Sequence, residues 1–321
     1  MSERAGTARP PPHGLAAAPA VEAAPAAPPP GPALQPARSR RFAALRAVLS
    51  RPSGAIGLGI VAFHLMVALF GPLFVPHDPA LQNVDAMMAA PSFEYWFGTD
   101  RLGRDVFART VLGGREAIVI STLSTMLAMA SGGLLGIFLA LVGGRADEIV
   151  MRAVDAMLSL PWVLTVMIFV TALGTSTVVL IPVLGFSYGL AVVRIARSAA
   201  LDFVARDFVL AAQARGERKR TIVLKELFPN VRDSLAVEGA MQWSWIILGF
   251  SSLSFLGFGV TPPMPDWGLM ISDSRGLMAI APWTVLWPMA ALSSLVIGTN
   301  LAADAFAKVL GVDRARRAPG R

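Results

Sequence analysis

From Ala156 to Val193 the chain runs for 38 residues without a charged side chain. As helix that is roughly 57 Å, close to two crossings of a ~30 Å hydrocarbon layer. The run therefore predicts two membrane helices, divided at Gly174 to Thr177. Four further stretches have the same character. Gly54 to Val75 is interrupted only by His64, and Ala117 to Val142 holds Gly132, Gly133 and Gly136, at the spacing that lets helix backbones approach closely in lipid. Gly239 to Pro265 and Gly276 to Ala303 complete the set, with Pro262, Pro263 and Pro265 expected to end the helix of the former. The expectation is an all-α polytopic membrane protein with six transmembrane helices.

Composition agrees: 55% of the 321 residues are hydrophobic and only 15% charged, against about 25% charged in soluble domains. There is no Cys, which removes disulfides, thiolate metal sites and Cys nucleophiles together. The net charge of +7 raises nucleic-acid binding, but the placement of the basic residues gives another account. With a cytoplasmic N-terminus, 23 of the 28 Lys and Arg residues fall on inner segments, and only Arg101, Arg104, Arg109, Arg115 and Arg275 fall outside. That asymmetry predicts both termini inside. Arg38, Arg40, Arg41, Arg46 and Arg51 can then lie against anionic headgroups. Residues 1 to 37 carry ten prolines and twelve alanines and cannot bury enough surface to order, so a disordered tail is expected over 1–40. No h-region suited to a signal peptide follows Arg4 or Arg9.

The inner loop between the fourth and fifth spans, Arg194 to Arg232, has more organisation than a tether. Its first part is helix-forming, with Ala211, Ala212 and Ala214 ahead of Gly216, a residue suited to a left-handed helix end. A short basic helix follows and should stop near Pro229, which disfavours helix at Phe228. A face of small side chains lets a helix sit deep in a partner's groove. A solvated basic loop is the plainer alternative.

Three motifs decide between them. Phe208-Val-Leu-Ala-Ala-Gln-Ala-Arg-Gly216, with Pro229 beyond it, resembles the EAA loop of ABC importer permeases. Ala211, Ala212, Gly216 and Pro229 match; Leu210 stands in place of Glu, as in C-type subunits of peptide importers, while Glu226 and Phe228 depart from the usual Ile and Leu. Gly98-Thr-Asp100-Arg-Leu-Gly103-Arg104-Asp105 and Ser254-Phe-Leu-Gly-Phe-Gly259, followed by Pro262-Pro263-Met-Pro-Asp-Trp267-Gly268, resemble the other two signatures of that branch. The chain thus resembles the C-type permease of the dipeptide/oligopeptide (peptide/nickel/opine) ABC importers over residues 40 to 310. The resemblance implies a type I importer permease in the bacterial inner membrane. Its implied partners are a second permease, two ATPase subunits and a periplasmic or lipid-anchored solute-binding protein. It further implies an ATPase-coupling loop over 201–232, carried by Asp207, Leu210, Ala211, Ala212, Gly216, Glu217 and Pro229. In this division 41–115 is a first helix with an outer loop, 116–310 a five-helix core and 311–321 a cytoplasmic tail.

Read without the family, Asp100 and Arg104, and Arg101 and Asp105, are i,i+4 pairs suited to a short outer helix, each worth ~0.2–0.5 kcal/mol, which favours shaping the outer mouth over ligand binding. Trp267 suits the headgroup interface. His64 lies mid-span and is expected to be satisfied by one interhelical hydrogen bond. Glu238 and Asp304 are expected to cap helix ends or pair with basic loops. No Gly-rich loop precedes Lys219, Lys225 or Lys308, so a Walker A cradle is excluded and ATP and Mg are assigned to partner subunits. His13, His64 and His77 fall in different segments and make no common metal or catalytic site. The rival reading, a stand-alone secondary transporter or channel, lacks the paired intramembrane charges that ion coupling uses. Removing ATP while keeping an ion gradient separates the two.

Overall fold

The computed structural model describes residues 45–310; the expected tails 1–40 and 311–321, with Arg38, Arg40 and Arg41, lie outside the described residues. Ten α-helices follow from Pro52: α1 Pro52–Phe74, α2 Val106–Val142, α3 Gly144–Leu158, α4 Trp162–Leu173, α5 Thr177–Val204, α6 Asp207–Ala214, α7 Lys219–Ile222, α8 Phe228–Phe255, α9 Trp267–Ser274 and α10 Trp283–Leu310. Four of them, α1, α2, α5 and α10, are long and apolar enough to cross a membrane, and the bent pair α3 and α4 makes a fifth candidate. The chain is thus an all-α, multi-pass membrane protein.

The expected break at Gly174 to Thr177 is present, between α4 and α5. The span before it differs from expectation. It is two helices meeting at 88°, because Ser159, Leu160 and Pro161 interrupt the helix and Pro161 precedes α4. The fifth expected span, now α8, is 28 residues long but is not among the helices apolar enough by themselves. Arg232, Asp233 and Glu238 occupy its first half. Its second half buries Ser244, Ser251 and Ser254 with Ile246, Ile247 and Phe250, so it packs within the bundle and needs little lipid-facing surface. That helix ends at Phe255, well before Pro262; Gly257 turns left-handed (φ 89°) and the prolines lie in the loop beyond.

Helices α2 and α5 make the most extensive contact in the bundle. The cause is the small-residue stripe: a Cβ on Gly132 would stand 2.4 Å from Gly189 O, and one on Gly136 2.4 Å from Val193 O. Each glycine thus presses bare backbone onto backbone. Two hydrophobic clusters sit along this axis. One gathers Ile120, Leu180, Leu184, Ile247, Phe250, Trp267 and Leu295. The other gathers Ile137, Ala140, Ala196, Ala200, Val209, Ala212, Ile222, Leu227 and Val231. Because α2 contributes Ala117 and Ile120 to the first and Ile137 and Ala140 to the second, the clusters lie about 30 Å apart along its axis.

Candidate functional site

The residues singled out in the sequence fall into two groups at the two ends of α2. At its N-terminal end, Asp100 anchors a tight turn, not a helix. Its Oδ1 accepts from the amides of Leu102 (2.8 Å) and Arg104 (3.0 Å), and its Oδ2 takes the Arg104 guanidinium at 2.7 Å, with Arg109 Nε at 3.8 Å. The i,i+4 expectation holds for Asp100–Arg104 and fails for Arg101–Asp105. Arg101 turns to Asp273 of the α9 segment at 3.7 Å. Asp105 instead caps α2, accepting from Phe107 N (2.8 Å) and Ala108 N (3.4 Å), while its Oδ2 meets His77 Nδ1 at 2.8 Å. A carboxylate at a helix N-terminus with two amides on it needs no further partner for stability.

Gly103 is required twice over. Its φ is +72°, and a Cβ there would lie 1.8 Å from Asn83 O. Gly98 lets the turn close against Trp283, whose Nε1 donates to Thr99 O at 3.1 Å. Thr99 also donates to Ala86 O and accepts from Ala89 N at 2.8 Å. Phe97 stacks on Trp287 of α10 at 3.9 Å. The signature thus ties the loop before α2 to α2 and α10 through its own hydrogen bonds.

The second signature of this end docks beside it. Trp267 is only 2% exposed, a correction to the expected headgroup position. Its indole lies over Gly114, where a Cβ would stand 2.4 Å from Cζ2, and donates from Nε1 to Thr110 O at 2.8 Å. Two adjacent glycines on α2, Gly113 and Gly114, leave the notch that a ring this size fills. Gly268 lies equally close to Ser251 of α8. Pro262 and Pro263 are exposed. His64 makes the expected single interhelical bond, with Ser294 Oγ at 2.8 Å. Glu238 accepts from Gln242 Nε2 at 3.0 Å within its own helix, not from a basic loop.

At the C-terminal end of α2 lies the 201–232 segment. Helix α6 begins at Asp207, an acid in its first turn where the helix dipole favours it. It ends as expected: Gly216 has φ +73°, its amide donates to Gln213 O at 2.9 Å, and the Glu217 amide reaches Ala212 O at 3.2 Å. These two bonds make a Schellman motif. Nothing lies within 4 Å of a Cβ placed on Gly216, so the glycine answers a backbone need and not a shortage of space. Glu217 meets Arg215 at 2.7 Å.

The alanine face differs from expectation. Ala212 is fully buried with Val209 against Ile222, Leu227 and α5, because the residues three apart on α6 face the chain's own core. The outward face carries Asp207, Leu210, Ala211 and Ala214, flanked by Phe208. Leu210, Leu224 and Phe228 are exposed by 49%, 53% and 40%, and Arg218, Lys219 and Arg220 are exposed as well.

Pro229 does not stop a helix here. Phe228 is helical (φ −54°, ψ −44°) and its amide bonds to Val223 O, five residues back. The π turn Val223–Leu227 widens the helix where the proline ring would otherwise strike the preceding turn. From Lys219 to Phe255 the backbone is therefore helical without a break. Only Ala205 and Arg206 separate α5 from α6.

One ion pair between α3 and α5 left no readable trace in the sequence. Asp147 of α3 is 7% exposed and accepts from Arg197 of α5 at 2.6 Å and 2.5 Å, a bidentate pair across 50 residues. Among the described residues no group of three or more His, Cys, Asp and Glu side chains comes together to hold a metal.

Two family models match the chain. The binding-protein-dependent transport system inner membrane component matches residues 132–314, more than half of it, and the N-terminal transmembrane domain of oligopeptide transport permease C matches residues 42–91. The dipeptide transport system permease protein DppC of Alkalihalophilus pseudofirmus is 33% identical over 257 residues, covering 78% of this chain and 82% of that protein. A putative peptide permease protein of Brucella suis is 36% identical over 261 residues, 80% of this chain and 85% of its own. The nickel transport system permease protein NikC of Escherichia coli is 31% identical over 256 residues, 80% and 92% respectively.

Proposed function

The chain belongs to the inner membrane components of binding-protein-dependent ABC importers, in the C-type branch that serves peptides, oligopeptides and nickel, and from that premise we propose how its two ends divide the work. Its role is that of a permease subunit that forms the translocation path with a second permease. It is a transport subunit and not an enzyme; ATP hydrolysis takes place on separate ATPase subunits.

In our reading α8 is the sixth span, both termini are cytoplasmic, and the cargo is a peptide or a related small solute handed over by a solute-binding protein outside. Leu210, Ala211, Asp207, Phe208, Leu224 and Phe228 form the surface that seats in an ATPase subunit. Ala212, Gly216, Glu217 and Pro229 hold that surface in shape. The outer signatures, Gly98, Asp100, Gly103, Arg104, Asp105, Pro262, Pro263, Trp267 and Gly268, shape the mouth that receives the cargo and contact no nucleotide.

The observation that carries this reading is the unbroken helix from Lys219 to Phe255. A displacement applied at Leu224 travels along one rigid rod into the centre of the bundle. Reversing a 1:99 population takes about 5.5 kcal/mol, and a flexible hinge at residue 228 would dissipate it.

The test uses the full importer in proteoliposomes with ATP inside. Gly216→Val places a β-branched residue at positive φ, at a local cost of about 1–2 kcal/mol, and is expected to abolish ATP-driven uptake while insertion stays normal. Gly216→Asn, which tolerates that backbone, is expected to retain uptake. Normal transport by the valine variant overturns the proposal.

A further inference from the structure

We propose that Asp266 is a buried proton-binding site: the protonated carboxyl holds α9 against α2 and α8, and loss of the proton releases it. The site lies at the junction of three elements. Asp266 is the N-cap of α9, its Oδ1 accepting from Leu269 N at 3.0 Å, and the residue is wholly enclosed (0% exposed). Its Oδ2 has no hydrogen-bond partner, and neither has Oγ of Ser251 or Ser254, all three buried. Those serines are neighbours on α8: a Cβ on Gly268 would lie 2.1 Å from Ser251 O and 2.9 Å from Ser254 Cβ. On the other side, a Cβ placed on Gly113 of α2 would lie 3.4 Å from the Asp266 main chain.

A carboxylate sealed in with no donor on one oxygen is an uncompensated charge, which proteins avoid by pairing or by neutralisation. Pairing is not available. Helix α8 and its loop carry no ionisable side chain from Gly239 to Pro265, and α10 none from Trp283 to Ala303. On α2, Arg109 is committed to Asp100 and to Pro79 O, and Arg115 is exposed. Glu116 acts on Asp266 only to oppose its charge. On α9, Asp273 meets Arg101, and Arg275 lies over Phe255. His64 of α1 is engaged by Ser294. A proton on Oδ2 removes the charge that burial penalises, in a site where the Oγ atoms of Ser251 and Ser254 are also buried without a hydrogen-bond partner.

Burial first, and Glu116 after it, raise the Asp266 carboxyl to about 6 from its ordinary 3.8, against the Leu269 and Gly268 amides and the nearby Ser254 hydroxyl, which makes no hydrogen bond of good geometry. The sign follows. A carboxyl raised in the docked state stabilises docking fully below the ordinary value, and that contribution is lost as pH rises through about 6. The charged side chain then reaches water by lifting the first turn of α9, beside the exposed segment Thr261 to Met264. Nothing in this depends on ATPase partners, so its failure leaves the permease reading untouched.

The experiment is hydrogen exchange of the full chain in lipid nanodiscs at pH 5 and pH 7.5, with the intrinsic pH dependence of exchange removed. The α9 amides are expected to open on the order of tenfold more at pH 7.5. In Asp266→Asn, which keeps the cap acceptor and donates at every pH, that difference should vanish. Asp266→Ser, which keeps the cap alone, should also be pH-independent. An infrared difference spectrum at pH 5 should show a protonated-carboxyl carbonyl band that Asp266→Asn lacks. An equal pH response in wild type and Asp266→Asn, or the same carbonyl band in both, overturns the proposal.

Discussion

The two ends of α2 use their polar residues in opposite ways. At the N-terminal end, Asp100, Arg104, Asp105, Thr99 and Trp267 all bond to the chain's own backbone or to each other. At the C-terminal end, α6, the π turn and the start of α8 leave Leu210, Leu224 and Phe228 unburied, while Val209, Ala212 and Ile222 pack into the core beneath them. The first end is finished by itself; the second leaves apolar side chains exposed. Charge-rich signatures can therefore be structural, while an unremarkable apolar turn carries the exposed surface assigned to coupling in the proposal above.

That contrast can be broken by mutation. The largest expected effect is at Trp267. Trp267→Ala empties the Gly113–Gly114 notch and should cost about 3–5 kcal/mol in denaturant unfolding in micelles. A loss under about 1 kcal/mol would mean the N-terminal end of α2 is not the self-contained unit described. Gly103→Ala comes next, at about 3 kcal/mol, since left-handed backbone and collision with Asn83 O add; proteolysis of the 75–105 loop reports it. Leu210→Asp should change stability least, within about 0.5 kcal/mol, yet lower ATP-driven uptake about tenfold or more, the loss of one interface anchor. If instead it unfolds the chain with uptake per folded molecule unchanged, the C-terminal end is structural too and the contrast fails.

Much of this was legible beforehand. Charge-free length predicted the helices and the break at Gly174, because a bilayer admits few alternatives. Gly216 as a helix end was legible because positive φ selects its residue type. His64 was read correctly because an imidazole at that depth needs one partner and finds it on a neighbouring helix. Position 229 was misread: proline propensity describes an α-helix, and a π turn upstream changes the geometry the ring meets. Trp267 was misread because interface preference is an average over exposed sites, while the notch that takes it lies about 150 residues earlier on α2. Arg101 was misread for the same reason, its acid lying on α9.

The sequence by itself determined that this chain is helical, lies in a membrane and carries the three signatures of an importer permease, since apolar length, charge asymmetry and local backbone needs are properties of contiguous residues. Only the tertiary structure decided which side of α6 is buried in the chain's own core, that Asp147 reaches Arg197, and that Asp266 is sealed in without a counter-charge. Those are relations between residues far apart in the chain, fixed by how closely glycine-faced helices approach, and no local pattern encodes that distance.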